Sequence, residues 1–108
     1  MHFIFEVRIA PDYTPEQYAE AWVRASQIIQ RAPGAQGTRL HRKIGHPDVL
    51  LAIATWESKA VRDAMDSVQA EEVKRIIAEQ AEFVEVSVIG EYEAPEWVVL
   101  PAPAREAM

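Results

Sequence analysis

Most of the side chains that could do chemistry in this chain sit in two adjoining stretches, GTRLHRKI over residues 37–44 and VLLAIATW over 49–56. Extended alternation puts Arg39, His41 and Lys43 on one face of the first stretch and Leu40 and Arg42 on the other. His41 is the one histidine inside a predicted strand, and an imidazole changes protonation near working pH, so it is the candidate general base. Arg42 beside it is the candidate for holding an anionic or enolate oxygen as negative charge develops. Adjacent strand residues face opposite ways, so the two reach one cavity only if a bulge intervenes. The plainer reading is that these are edge-strand charges that discourage sheet-to-sheet aggregation. Trp56 ends the second stretch. It is either a pocket wall that donates its indole N–H or a core plug whose N–H is bonded nearby.

Other chemistries drop out on residue type and spacing. Cysteine is absent, which removes thiol catalysis, thiolate metal sites and disulfides. Glycine occurs only at 34, 37, 45 and 90, which allows neither a dinucleotide-binding fingerprint nor a P-loop, so no nucleotide cofactor is expected. No serine lies in a G-x-S-x-G setting. His2, His41 and His46 do not pair at ligand spacing on a helix, so no metal is expected. Glu71 and Glu72 read as the solvated side of a helix. A net charge of −6 argues against nucleic acid as a partner. Basic residues cluster at Arg31, Arg39, Arg42 and Lys43, and acidic ones crowd the end at Glu79, Glu82, Glu85, Glu91, Glu93 and Glu96. The run from Val49 to Trp56 is too short to cross a bilayer. MHFIFEVRIA carries Glu6 and Arg8 and shows no cleavage pattern, so a cytoplasmic protein is expected.

The elements that must position these groups are legible from periodicity. FIFEVRI over 3–9 alternates as a half-buried strand. Thr14, Pro15 and Gln17 form a helix start with a capping box, followed by an apolar stripe through Tyr18, Trp22 (or Ala21), Ala25, Ile29 and Ala32. Pro33 and Gly34 stop that helix. Residues 37–44 and 49–56 pair as a hairpin across GHPD. Ser58 caps a second helix with Val61, Ala64, Met65 and Val68 inward, continuing through AEEVKRIIAEQAEF after a kink near Gln69. VEVSVIGEY is the last strand.

The order β-α-β-β-α-β gives an α+β, ferredoxin-like fold: a four-stranded antiparallel sheet with both helices on one face. Both faces of the third strand are apolar, Val49/Leu51/Ile53 and Leu50/Ala52/Ala54/Trp56. One of them, with Ile4 and Ile89, is left without a helix, which predicts a homodimer packed sheet to sheet. The domain spans 1–93. Residues 94–108 form an extension in which WVVL, bracketed by prolines, packs on its own domain or on the partner subunit, and PAPAREAM frays.

RAPGAQGTRLHRKIGHPDVLLAIATWESKAVRDAM resembles the antibiotic-biosynthesis monooxygenase-like family of the dimeric α+β barrel superfamily. The similarity is carried by Pro33-Gly34, Gly37, Leu40-His41-Arg42, Pro47 and Trp56-Glu57-Ser58, and with the strand order it covers about residues 2–93. It implies a homodimer with apolar cavities between sheet and helices. It also implies a monooxygenase that oxidises a phenolic, anthrone or quinol-like molecule with molecular oxygen and no metal or flavin, Trp56 standing at the family's pocket tryptophan and His41-Arg42 at its strand motif. The chain departs from the family at Met65, where members often carry a histidine. The first strand offers Glu6, Val7 and Arg8 rather than an asparagine. No histidine follows His46, so haem would lack its usual axial ligand. The alternative is a homodimer of the same fold that binds a ligand or serves as scaffold without catalysis.

Overall fold

Alternating residues in the first strand and a capped start to the first helix set the frame into which the rest of the chain folds. A computed structural model describes residues 1–67, 70–80 and 82–102. Its elements are β1 (His2–Ile9), α1 (Pro15–Ile29), β2 (Ala35–Lys43), β3 (His46–Trp56), α2 (Lys59–Ser67), α3 (Glu71–Gln80) and β4 (Val84–Tyr92). The strands form one antiparallel sheet in the order β2-β3-β1-β4, the split ferredoxin-like arrangement. The second helical segment is divided into α2 and α3. The expected kink at Gln69 and the inward Val68 lie outside the described residues, as does most of PAPAREAM.

Local chemistry fixes the helix starts. The Thr14 hydroxyl accepts from the Gln17 N–H at 3.2 Å and the Gln17 amide oxygen accepts from the Thr14 N–H at 2.7 Å, which completes the capping box. Ser58 accepts from the Val61 N–H at 3.2 Å and starts α2. Gly34 has φ +83, and a Cβ there would stand 2.2 Å from the Val61 side chain. Only glycine lets this loop abut α2 so closely.

Register defines the two faces of the sheet. Phe3, Phe5 and Val7 pair with Ala54, Ala52 and Leu50, which pair in turn with Thr38, Leu40 and Arg42. This face lies under the helices, where Val7, Ile9, Tyr18 and Leu50 form the first core cluster. Ala21 and Ala25 of α1 pack with Val73 and Ile76 of α3 in the second. The opposite, open face carries Ile4, Glu6, Arg8, Leu51, Ile53, Arg39 and His41.

Three expectations need correction. The hairpin link is Ile44-Gly45 rather than GHPD, because Gly45 supplies the positive φ of a tight turn and β3 then begins at His46. On α2, Ala64 is exposed while Arg62 turns inward, its guanidinium carbon 4.2 Å from the centre of the Phe3 ring. On the open face Ile89 is exposed, but Ile4, Leu51 and Ile53 are half-buried and Val49 is buried. Long charged neighbours on adjacent strands account for that partial cover. Lys43 reaches Glu6 across this face at 3.8 Å.

Candidate active site

Trp56 is held by its backbone before its side chain does anything. Its N–H donates to the Met1 carbonyl at 2.9 Å and its own carbonyl accepts from the Met1 ammonium at 2.9 Å. The next N–H, of Glu57, donates to the Gly34 carbonyl at 2.8 Å. These bonds pin the end of β3 where α2 begins, and the indole goes under the helices, 3 % exposed.

There it lines a cavity of about 230 Å³ between the sheet and all three helices. The void has a packing cause. Phe3, Phe5, Trp22 and Trp56 hold the layers apart, and Ala21, Ala25, Ser26 and Ala54 between them are too small to fill the gap. Met65 of α2 and Ile76 of α3 close the far side. The wall is mostly apolar, with a few polar groups converging on it, as small-molecule sites commonly are.

The polar groups come from α1 and the turn after it, β2, β3, α2 and α3. Tyr18 is buried, and that burial pushes its phenol up to about 12, so it remains a protonated donor. Thr38 donates to the Ile53 carbonyl at 3.3 Å, and Gln30 accepts from the Gly37 N–H at 2.8 Å, which orients both side chains. Gln80 presents an Oε1 that is buried without a hydrogen-bond partner among the described residues. Arg62 is the one charged residue among the described lining residues. Among the described lining residues there is no histidine or carboxylate.

The three residues singled out in the sequence therefore part company. Trp56 lines the cavity; His41 and Arg42 do not. His41 is exposed on the open face of β2. Arg42 is on the helix side but beyond the cavity, donating to the Glu16 carboxylate at 2.7 Å with both side chains about two-thirds exposed. That guanidinium holds the Glu16 carboxyl below its ordinary value. Tyr18, Arg62 and Gln80 were not singled out for chemistry. Arg62 had one legible signal, its position three residues before the inward Met65 on the same helix face.

The family model described as antibiotic biosynthesis monooxygenase matches residues 1–79. The chain belongs to this family. Antibiotic biosynthesis monooxygenase folds also recur among similar solved structures. A protein of unknown function and possible oxidoreductase from Bacteroides thetaiotaomicron has a TM-score of 0.68 at 16 % identity, covering 81 % of this chain and 89 % of its own. A candidate antibiotic biosynthesis monooxygenase from Deinococcus radiodurans has 0.67 at 13 %, covering 94 % and 100 %. SnoaB, a cofactor-independent oxygenase from Streptomyces nogalater, has 0.67 at 12 %, covering 89 % and 96 %. At such identities the likeness is one of fold. No curated protein matches the chain.

Proposed function

We propose that this family member is a cofactor-independent monooxygenase of a phenolic, anthrone or quinol-like small molecule. The cavity at Trp56 carries the reading: an apolar slot whose polar groups are neutral donors and acceptors plus one guanidinium. Such a wall favours a flat aromatic substrate and stabilises its anion. The Trp56 N–H, the Tyr18 O–H and Arg62 are the donors we assign to the anionic oxygen. The unpartnered Gln80 oxygen accepts from a second substrate hydroxyl.

The chemistry then belongs largely to the substrate. Deprotonated, it passes one electron to molecular oxygen, and the resulting radical and superoxide combine into a carbon–oxygen bond. Protonation and loss of water from that peroxide leave a carbonyl. A CH2 group and O2 become C=O and H2O, and the substrate anion is the reductant. Neither His41 nor Arg42 reaches this cavity within one chain, so the proton leaves to water or to a substrate group. This confines the substrate to molecules that ionise without a strong base.

We further propose that the working unit is a homodimer packed through the open face, supported by the unpartnered Ile4, Leu51, Ile53 and Ile89. One observation favours a second reading of the cavity. Among the described lining residues Met65 stands where an imidazole would serve as base, which suits a ligand-binding dimer without turnover. Oxygen uptake against a panel of reduced anthrones and naphthoquinols, with no metal or flavin added, separates the two. The expected result is uptake above autoxidation that falls about tenfold in Trp56→Phe and in Arg62→Gln, the loss of one charge-stabilising donor each. A folded protein that quenches with the same molecules yet consumes no oxygen supports the binding reading and overturns the enzyme.

A further inference from the structure

Two glutamines reach the cavity, and their amides are placed differently. Gln30, just past α1, has its side-chain oxygen engaged by the Gly37 N–H at 2.8 Å. Gln80 ends α3, and its backbone is fixed from the far side of the cavity. Its carbonyl accepts from the Phe83 N–H at 3.1 Å, and the Phe83 carbonyl accepts from the Ala10 N–H at 2.9 Å. The Phe83 ring stacks on Tyr13 with centroids 4.5 Å apart. From that anchor the Gln80 side chain lines the slot, and its Oε1 is buried without a hydrogen-bond partner among the described residues. It is the one side-chain polar atom in that condition among them. Folded proteins pair nearly all such atoms, so this one calls for a functional account.

The chemistry of the amide says what would pair it. Its oxygen is only an acceptor, so the missing partner is an O–H or N–H donor. A molecule entering the slot displaces water from it, and one without a donor at this point leaves the oxygen unpaired among apolar side chains. An ionised oxygen there is worse, because it sets a negative charge against the negative end of the amide dipole. Arg62, the one charged residue among the described lining residues, stands over Phe3 near the start of β1, whereas Gln80 is tied through Phe83 to Ala10, just past that strand's end. The two groups therefore reach the cavity from opposite ends, one suited to an anion and the other to a proton donor.

We propose that Gln80 is a specificity-determining residue. It selects aromatic diols whose oxygens lie on opposite sides of the ring system, one ionised toward Arg62 and the other kept protonated as a donor to the Gln80 Oε1. Simple phenols and methyl ethers, which lack the second donor, are held less tightly. This rests on the reading of the cavity as a site for a phenolic or quinol-like molecule and narrows it, but it does not depend on whether the bound molecule is oxidised.

Isothermal titration calorimetry under nitrogen, where no turnover occurs, compares 1,4-dihydroxynaphthalene, 4-methoxy-1-naphthol and 1-naphthol. The first carries the second donor, the next turns that oxygen into an acceptor alone, and the last lacks it. The unmodified protein is expected to bind the diol about tenfold more tightly than either, the effect of one hydrogen bond made to a buried acceptor. Gln80→Met keeps the length of the side chain without the amide oxygen and should bind all three within about twofold of one another. Its Tm should not fall below that of the unmodified protein, since no buried acceptor is left unpaired, and Gln80→Leu repeats the test if the Met variant does not fold. Equal binding of the three by the unmodified protein, or a preference that survives in Gln80→Met, overturns the role of Gln80. Tighter binding of the methyl ether overturns it as well, because the amide then turns its NH2 group inward. Failure of all three to bind overturns the cavity reading along with it. A preference for the diol that is lost in Gln80→Met, in a protein that consumes no oxygen once air is admitted, leaves this inference standing and overturns the enzyme.

Discussion

The two faces of this sheet are built from the same strands and do opposite things. Under the helices, Phe3, Phe5, Ala54 and Trp56 surround a void edged by uncharged polar groups and one arginine. On the other side, one residue out of register along the same strands, stand Ile4, Glu6, Leu51, Arg39 and His41. The side chains richest in chemical potential, the imidazole and most of the β2 cations, lie on the open side. The cavity instead holds residues usually counted as packing. Reactive residue types and the space in which a substrate would sit are therefore separate properties here, and the pleat of the sheet separates them.

The sharpest way to break the comparison is to truncate neighbours on β3 that face opposite ways. Leu50 is buried against Val7 and Tyr18, so Leu50→Ala is expected to cost about 3 kcal/mol whatever the protein concentration. Leu51 faces the open side and is half-buried in one copy. Leu51→Ala should cost less than about 1 kcal/mol in dilute solution and, if the proposed homodimer forms, more as concentration rises, because association would stabilise only the folded chain. Urea unfolding at two concentrations a hundredfold apart checks both. Equal, concentration-independent losses at the two positions would erase the distinction between the faces.

A smaller effect tests the cavity against the hairpin. Ala54 lines the void and is bordered by Phe3 and Thr38 across the strands. Ala54→Leu fills the space, so the fold should shift by less than about 1.5 kcal/mol. Binding of 1,8-dihydroxyanthrone, followed by quenching of tryptophan fluorescence under nitrogen, should weaken at least tenfold. His41→Ala should change it less than twofold, since the imidazole lies on the other face. A reversal of these two results would move the site to the open face.

What the sequence revealed follows the range of the interactions involved. The Thr14–Gln17 box, the β1 alternation and the whole span of β4 depend on neighbours a few residues away, and they are legible. The open face was legible too, because the two apolar sides of β3 cannot both be covered by helices. The inward turn of Arg62 was not, since it needs Phe3, far away in sequence, as a platform. Nor was the cavity. It exists because Ala21, Ala25 and Ala54 from separate elements meet between larger rings, and no local pattern records a coincidence of small residues. Tyr18 was read as one more member of an apolar stripe because its hydroxyl matters only once that void exists. The C-terminal extension is the reverse case. Its apolar run and flanking prolines are conspicuous in the sequence, and Trp97, Val98, Val99 and Leu100 stand exposed in the single chain.

The smallest expected effect concerns Tyr18 and follows from its burial. An unfolded tyrosine releases its proton near 10, and in the folded chain this phenol is pushed up to about 12 by desolvation of its anion. Between those values the unfolded state has lost a proton that the native state keeps. Stability contributed by the neutral buried phenol is therefore fully present below about pH 10 and is lost as the pH rises from about 10 toward 12. The chain has three tyrosines, of which Tyr13 and Tyr92 are exposed. Absorbance of tyrosinate should show a late step at about pH 12, and Tyr18→Phe should abolish it. A bound phenol that accepts a hydrogen bond from Tyr18 should delay the step further, because the donor proton is then shared with an anion. If the folded protein shows no such late step, Tyr18 is in contact with water. The cavity wall would then lack one of the neutral donors on which the reading of an anion-stabilising, helix-covered face depends.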